Sequence, residues 1–395
     1  MNDQLAAMVK NKITTKAGLR EIEGIVPFFG NVINFGGKST MKRGVMLMMA
    51  GMVLLSYACW PPVNGVAAKS NIGVDYEWGA LREVVVGIGD GLVMPGYSDK
   101  VDFIYDKKFA DLMKKTGGKP AIEVEPDRTR KVIAQINNLV SVLVNMGIKV
   151  YRPRVLNPVE HDYLTCVQEG QMQLYTRDPM LVIGNNVIEI SLKVPMRAKE
   201  KFPLREIIRE RIKGTDARYV AMPSPNPNYE EDAIYLEGGD VLLNGREIYV
   251  GNSGKGSSKA GIEWLQNFLG PDYHVHEVKI IPEFEHLDCI MALLRPGMGL
   301  LCRDALKGEL PDSLKDWDFI EVTIEEAKRL GANALVVDAQ TVIMDTQHKR
   351  IMDEVRKRNH KVIEMPYGDV ATWGGAFRCS HHPLLRVGGG PPIGK

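Results

Sequence analysis

From residue 71 onward two hydrophobic periods take turns along the chain. Short runs rich in Val, Ile and Leu, several broken by Gly or Asn, read as strands and hairpins. Between them lie stretches in which apolar residues return every three or four positions, as on an amphipathic helix. The first instance predicts a strand over 82–88, a helix from about 127 to 146 and a strand over 149–152. In that helix Val132, Ile133, Ile136, Leu139, Val140 and Leu143 share one face. The second is a hairpin over 181–190 turning at Gly184-Asn185-Asn186, a helix over 204–212 and a strand over 219–221. The third is a hairpin over 241–250 turning at Asn244-Gly245, a helix over 260–268 and a strand over 274–280. A fourth hairpin spans 289–302 and turns at Pro296-Gly297, and the fifth module runs over 334–345, 349–358 and 361–364. Five such modules predict an α/β fold in which ββα units close like a propeller around a central channel. An open parallel sheet is the alternative, and a hairpin ahead of each helix fits it poorly. Closure would bring residues from distant modules together on the axis.

The segment before residue 71 follows a different pattern. Residues 44–60 carry no charge, follow Lys42 and Arg43, and precede Val66-Ala67-Ala68. Read from Met41, this is a basic start, an apolar stretch and a small-residue cleavage site, as in a secretory signal. Read from Met1, it is a marginal membrane span, and a buried helix is the third reading. Residues 1–70 are therefore set apart as a leader and 71–395 taken as one catalytic domain. The expected location is exported, periplasmic or membrane-anchored through residues 41–68, with the cytoplasm as the alternative.

Charge and cysteine content narrow the chemistry. The formal net charge of +1 over 395 residues argues against a nucleic-acid surface. The five cysteines, at 59, 166, 289, 302 and 379, form no C-x-x-C pair, which disfavours a zinc ribbon or a disulfide framework. Their odd number leaves at least one free thiol.

Four segments at module edges carry residues that a core would not select: Tyr175-Thr-Arg-Asp178, Leu236-Glu-Gly-Gly-Asp240, Glu285-His-Leu-Asp288 and Gly374-Gly-Ala-Phe-Arg-Cys379. Glycines at 238, 239, 374 and 375 would let backbone approach a ligand. Carboxylates such as Asp178 and Asp288 match the N–H fork of a guanidinium. A cysteine on a glycine-rich loop with a histidine and a carboxylate elsewhere is an activated-thiol arrangement. Taken singly, each has a plain structural reading: Cys379 as a small core residue, His286 as a satisfied histidine, Arg177-Asp178 as a turn ion pair. Their joint occurrence, each at the edge of a predicted module, favours chemistry.

These residues also carry a resemblance. Glu77-Trp-Gly-Ala-Leu-Arg-Glu-Val-Val-Val-Gly87, Arg177-Asp178, Ile183 to Glu189, Gly261 to Trp264, Pro271 to His276, His286-Leu-Asp288, Arg295-Pro-Gly297 and the terminal Gly-Gly-x-Phe-x-Cys are similar to the arginine deiminase/amidinotransferase superfamily. The likeness is strongest to its glycine amidinotransferase branch and covers residues 75 to about 385. It implies a pentein-type propeller with the active site on its central axis. It further implies Cys379 as nucleophile, His286 as general acid/base, Glu237 as its orienting carboxylate, and Asp178, Asp288 and Asp240 as substrate-binding. Arg303 would hold the substrate carboxylate. The branch usually has Asp at 237, Ala at 238 and 239, and His at 378, and its fifth-module serine would fall near Gly331.

The reaction so implied moves the amidino group of L-arginine to a glycine-like amine through a cysteine-bound intermediate, releasing ornithine. An arginine deiminase-type hydrolase giving citrulline is the alternative, and a non-catalytic guanidino-compound binder the third. No cofactor or metal is expected. The partners would be small molecules, with no nucleic acid, membrane contact only through the N-terminal segment, and room for a homodimer. Residues 197–232, a basic helix and a Pro-rich loop, resemble the transferase branch and would supply a cover that keeps water out.

Overall fold

The computed structural model describes residues 72–99, 107–224, 230 and 233–390. The predicted leader, Cys59 and most of the Pro-rich loop lie outside the described residues. Among those described, no helix is long and apolar enough to cross a membrane.

The architecture is α/β and repeats one three-stranded unit five times. Strands Met180–Ile183 and Asn186–Glu189 pair antiparallel, and Arg218–Ala221 returns parallel to the second. The same pattern holds for Val241–Asn244, Glu247–Asn252 and His274–Lys279. It recurs in Met291–Arg295, Met298–Leu301 and Asp318–Glu321, and again in Leu335–Asp338, Thr341–Asp345 and Lys361–Met365. A parallel return needs a crossover of a dozen or more residues. Helices Lys201–Ile212, Lys259–Leu269 and Lys349–Lys357 provide it in three of these units. In the Met291–Arg295 unit the crossover is made instead by two short 3-10 turns, Arg303–Ala305 and Asp312–Leu314.

The remaining unit is assembled from both ends of the domain. Ala80–Val86 is flanked on one side by Lys149–Tyr151, parallel, and on the other by His381–Val387, antiparallel. Its crossover contains the helix Pro126–Asn145, whose Val132, Ile136, Leu139 and Leu143 are buried while Ile133 and Val140 lie half-buried at the margin. A small sheet of Ile88–Val93 and Gln171–Gln173 stands beside it.

A shared feature positions the site. One to three residues ahead of the leading edge strand of each unit stands a buried polar side chain or thiol: Asp178, Asp240, Asp288, Asn333 and Cys379. Hydrogen bonds link these entry points in succession. The Arg177 N–H donates to the Cys379 carbonyl at 3.1 Å and the Gly238 N–H to the Asp178 carbonyl at 3.2 Å. The Leu287 N–H donates to Asp240 Oδ1 at 3.0 Å. Asn333 Nδ2 then donates both to the Asp288 carbonyl and to Cys379 Sγ, each at 3.2 Å, which returns the series to its start.

Candidate active site

A cavity of about 280 Å³ reaches this ring of entry points. Its inner end carries Asp178, Arg197, Glu285, His286 and Cys379. Its walls are largely apolar, with Met94, Phe109, Met172, Met196 and Trp373 among them.

Cys379 lies in the turn over 377–380, with Sγ 3.6 Å from Asp288 Oδ2 and 3.8 Å from Oδ1. Asn333 Nδ2 donates to the sulfur, and Asn333 Oδ1 accepts from the Arg378 and Cys379 N–H groups at 2.9 and 3.3 Å. Burial pushes the thiol well above its ordinary range, and the charges of Asp288 and Asp178 push it further. In the free protein this thiol is therefore held protonated at neutral pH.

His286 faces the opposite electrostatic balance. Burial opposes its charged form, but Asp178, Glu285, Glu237 and Asp240 together outweigh it and raise its pKa well above 6.5. Its Nε2 is 2.7 Å from Glu237 Oε2 and its Nδ1 3.9 Å from Asp178 Oδ1. Glu237 is fully buried and its other oxygen accepts the Lys193 N–H at 3.0 Å, so both oxygens are engaged. An orienting carboxylate behind an imidazolium is a general-acid arrangement.

Of the substrate-binding residues named from the sequence, Asp178 lines the cavity and Asp288 lies against Cys379, each already paired with an arginine of the protein. Asp178 is paired with buried Arg197, whose Nη2 donates to Oδ2 at 2.9 Å, and it also accepts the Gly239 N–H at 2.9 Å. Asp288 is paired with buried Arg378 at 3.1 Å. Asp240 lines no part of the cavity. It accepts from Ser257 N and Oγ and from the Leu287 N–H, and so fixes the segment that carries His286. Burial raises its carboxyl to about 7. Arg303 is not brought to the site. Its side chain is 53% exposed, 3.7 Å from Glu321, with the guanidinium over the Phe319 ring. The turn Arg303–Ala305 sets it beside Glu321 on the third strand of its sheet, and it lines no part of the cavity.

The glycines at 238 and 239 serve protein contacts rather than a ligand. A Cβ at 238 would stand 2.0 Å from the Arg177 carbonyl oxygen, and one at 239 would stand 2.6 Å from His286 Nδ1 and 2.9 Å from Asp178 Oδ1. Gly239 is what allows imidazole and carboxylate to pack on the backbone there.

Three residues escaped the reading of the sequence. Asn333 has a legible signal, since it occupies the entry position that Asp178, Asp240 and Asp288 occupy in their own modules. Arg197 and Glu77 have none, because each is defined by its partner. Arg197 also binds Glu200 at 2.8 and 3.0 Å, and Glu77 holds Arg378 at 2.8 Å across 301 residues.

Ligand atoms of Glu237, Glu285 and His286 lie within 4.8 Å of one another, close enough to hold a metal ion. Glu237 is already engaged by His286 Nε2 and by the Lys193 N–H, so the dyad describes this donor set better.

Against known proteins, residues 118–386 match the family model described as N,N dimethylarginine dimethylhydrolase, eukaryotic. The chain is 30% identical over 215 residues to the uncharacterized protein YkgA of Bacillus subtilis (strain 168), covering 54% of this chain and 70% of that one. It is 23% identical over 343 residues to L-arginine:L-lysine amidinotransferase of Pseudomonas savastanoi pv. phaseolicola, covering 79% and 93%. Among solved structures it is similar to SxtG, an amidinotransferase from Microseira wollei in the saxitoxin biosynthetic pathway. There the TM-score is 0.69 at 22% identity, over 80% of this chain and 98% of that one.

Proposed function

The chain belongs to the arginine deiminase/amidinotransferase superfamily and, within it, to the family described as N,N dimethylarginine dimethylhydrolase, eukaryotic, and from that premise we propose that it transfers an amidino group from L-arginine to an amine acceptor through Cys379. The observation that carries this reading is that one cavity is lined by both Cys379 and His286, whose Nε2 is held by Glu237 behind it. The five repeated sheet units, with their entry points linked in a ring, support a pentein-type propeller with that cavity on its axis.

The chemistry follows from the two perturbed groups. A guanidinium entering beside Cys379 brings a positive charge next to the sulfur, which favours the thiolate. Asp288, which accepts the S–H, is placed to take the proton. The sulfur bonds to the guanidinium carbon, and the bond from that carbon to the departing nitrogen breaks. His286, charged in the free protein, gives its proton to that nitrogen, and ornithine leaves as the amine. The neutral imidazole then takes a proton from the entering amine as the amine attacks the amidino carbon, and the C–S bond breaks. The resting charge on the imidazole is the one that the first half-reaction requires, whereas the thiol gives up its proton only as the cation arrives.

The choice between amine and water rests on exclusion of water from the amidino-cysteine. The apolar walls and the segment Val194 to Arg197, which reaches into the cavity, support transfer. A hydrolase reading is favoured by the description of the matched family and by Glu237-Gly238-Gly239, which departs from the Asp-Ala-Ala usual in the transferase branch. The test is product analysis with L-arginine, with and without glycine. Transfer gives ornithine that depends on the amine and little citrulline. Citrulline formed at a rate indifferent to added amines assigns the hydrolase. Mass analysis of the quenched Cys379 peptide checks the covalent intermediate in either case.

A further inference from the structure

The two carboxylates that the resemblance assigns to the substrate guanidinium already hold guanidinium groups of the protein itself. Asp178 is paired with Arg197, and Asp288 with Arg378, and all four side chains are buried. Arg197 donates two further bonds to Glu200, and Arg378 two to Glu77. A substrate cation would have to break one of these charge-assisted pairs to use the expected carboxylates, leaving a buried arginine without part of its partner shell.

Among the described residues that line the cavity, Asp178 and Glu285 are the carboxylates. The Glu285 side chain has no hydrogen bond or ion pair with any described residue. It precedes His286 in sequence, and one of its oxygens lies within 4.8 Å of both a His286 ring nitrogen and a Glu237 oxygen. An acidic group at a mostly apolar cavity that has the His286 charge nearby but no hydrogen-bonded cation is left under-satisfied until a donor arrives. Burial accordingly raises its carboxyl pKa, against the opposing pull of His286.

We propose that Glu285 receives the cationic nitrogen group of the substrate, holding its N–H donors beside His286. This names the binding carboxylate of the site described above and so rests on the reading of that cavity as a guanidino-substrate site. Glu285 then selects for cations: a neutral isostere of the guanidino group, such as the ureido group of citrulline, would gain little from it.

The experiment uses Glu285→Gln, which keeps the shape and removes the charge, in the full chain. For L-arginine we expect KM to rise about ten- to hundredfold, as for loss of a hydrogen bond to a charged group, with kcat changing far less. Glu285→Asp should recover part of that loss. Asp178→Asn, by contrast, should show itself chiefly as a lower melting temperature, because it strands Arg197. A second readout is independent of turnover: protection of Cys379 from iodoacetamide by L-arginine, followed on the Cys379 peptide. The variant should need about tenfold more arginine than wild type for equal protection. If wild type fails to turn over arginine but protection weakens in the variant, Glu285 stands and the transfer reaction falls. If turnover is present while KM and protection are both unchanged in Glu285→Gln, the assignment of Glu285 is overturned and the reaction stands. Absence of protection in both proteins also overturns it.

Discussion

Arg378→Met would remove a buried cation lying between two buried carboxylates, one from the start of the domain and one from the site. Arg378 bonds Glu77 at 2.8 and 3.3 Å, Asp288 at 3.1 Å, and the carbonyls of Gly238 and Val241. Burial pushes the Glu77 carboxyl upward, yet Arg378 and Arg177 bring it down to about 2 from 4.5. At about 1.4 kcal/mol per pH unit, that difference corresponds to roughly 3 kcal/mol of stability. Breaking a buried pair from one side typically costs about 3–5 kcal/mol, the same range reached by a separate route. Urea unfolding at pH 7, followed by tryptophan fluorescence, should therefore show Arg378→Met less stable by about 3–5 kcal/mol. Because the folded pKa of Glu77 is depressed, its contribution is fully present above about pH 4.5 and is lost as pH falls toward about 2. The gap between wild type and variant should accordingly narrow on acidification. Adding Glu77→Gln to Arg378→Met should recover part of the loss, since the stranded carboxylate is then gone. A variant within about 1 kcal/mol of wild type at pH 7, or a double variant as unstable as the two single losses added, would refute the pairing argument.

Other changes probe the chemistry. Cys379→Ser should abolish turnover, whereas Cys166→Ser, at an exposed thiol, should keep most of it; steady-state assays of purified protein decide. Asn333→Ala removes the donor to Cys379 Sγ and the acceptor of two backbone N–H groups. The thiol should ionise at higher pH, seen as a rightward shift of the pH profile for iodoacetamide alkylation. Gly239→Ala would press a methyl group against His286 and Asp178; turnover should fall at least tenfold, and unchanged kcat/KM would show that the imidazole has room to move. A variant beginning at Lys69 retains the Gly73 and Val74 N–H contacts to Leu384 and Gly184 and should fold and turn over, while full-length protein should fractionate with membranes or be exported.

The modular plan was legible because it is written in short-range terms. Strand and helix periods, the Asn244-Gly245 and Pro296-Gly297 turns, and glycine-rich edges each depend on a few neighbouring residues, and the observed hairpins and returning strands follow them closely. The segments carrying Cys379, His286 and Glu237 could be singled out for the same reason, as polar residues breaking an apolar pattern at equivalent places. Asn333 stands at such a place too, and the module comparison extended one step further would have reached it. What the chain could not declare locally was partnership. The sheet of Ala80–Val86 is completed by His381–Val387 from the far end of the domain, and backbone pairing leaves no mark of its partner in a strand's own residues. The same is true of charge. An arginine in a helix-rich segment and one beside Cys379 look alike in sequence, yet Arg197 and Arg378 occupy the carboxylates expected for substrate, while Arg303 is half exposed. A buried ion pair is decided by which side chains the fold brings within about 4 Å, where desolvation makes an unpaired charge costly. That selection exists only once the sheets are in place, and it left Glu285, next to His286, as the cavity carboxylate without an arginine partner.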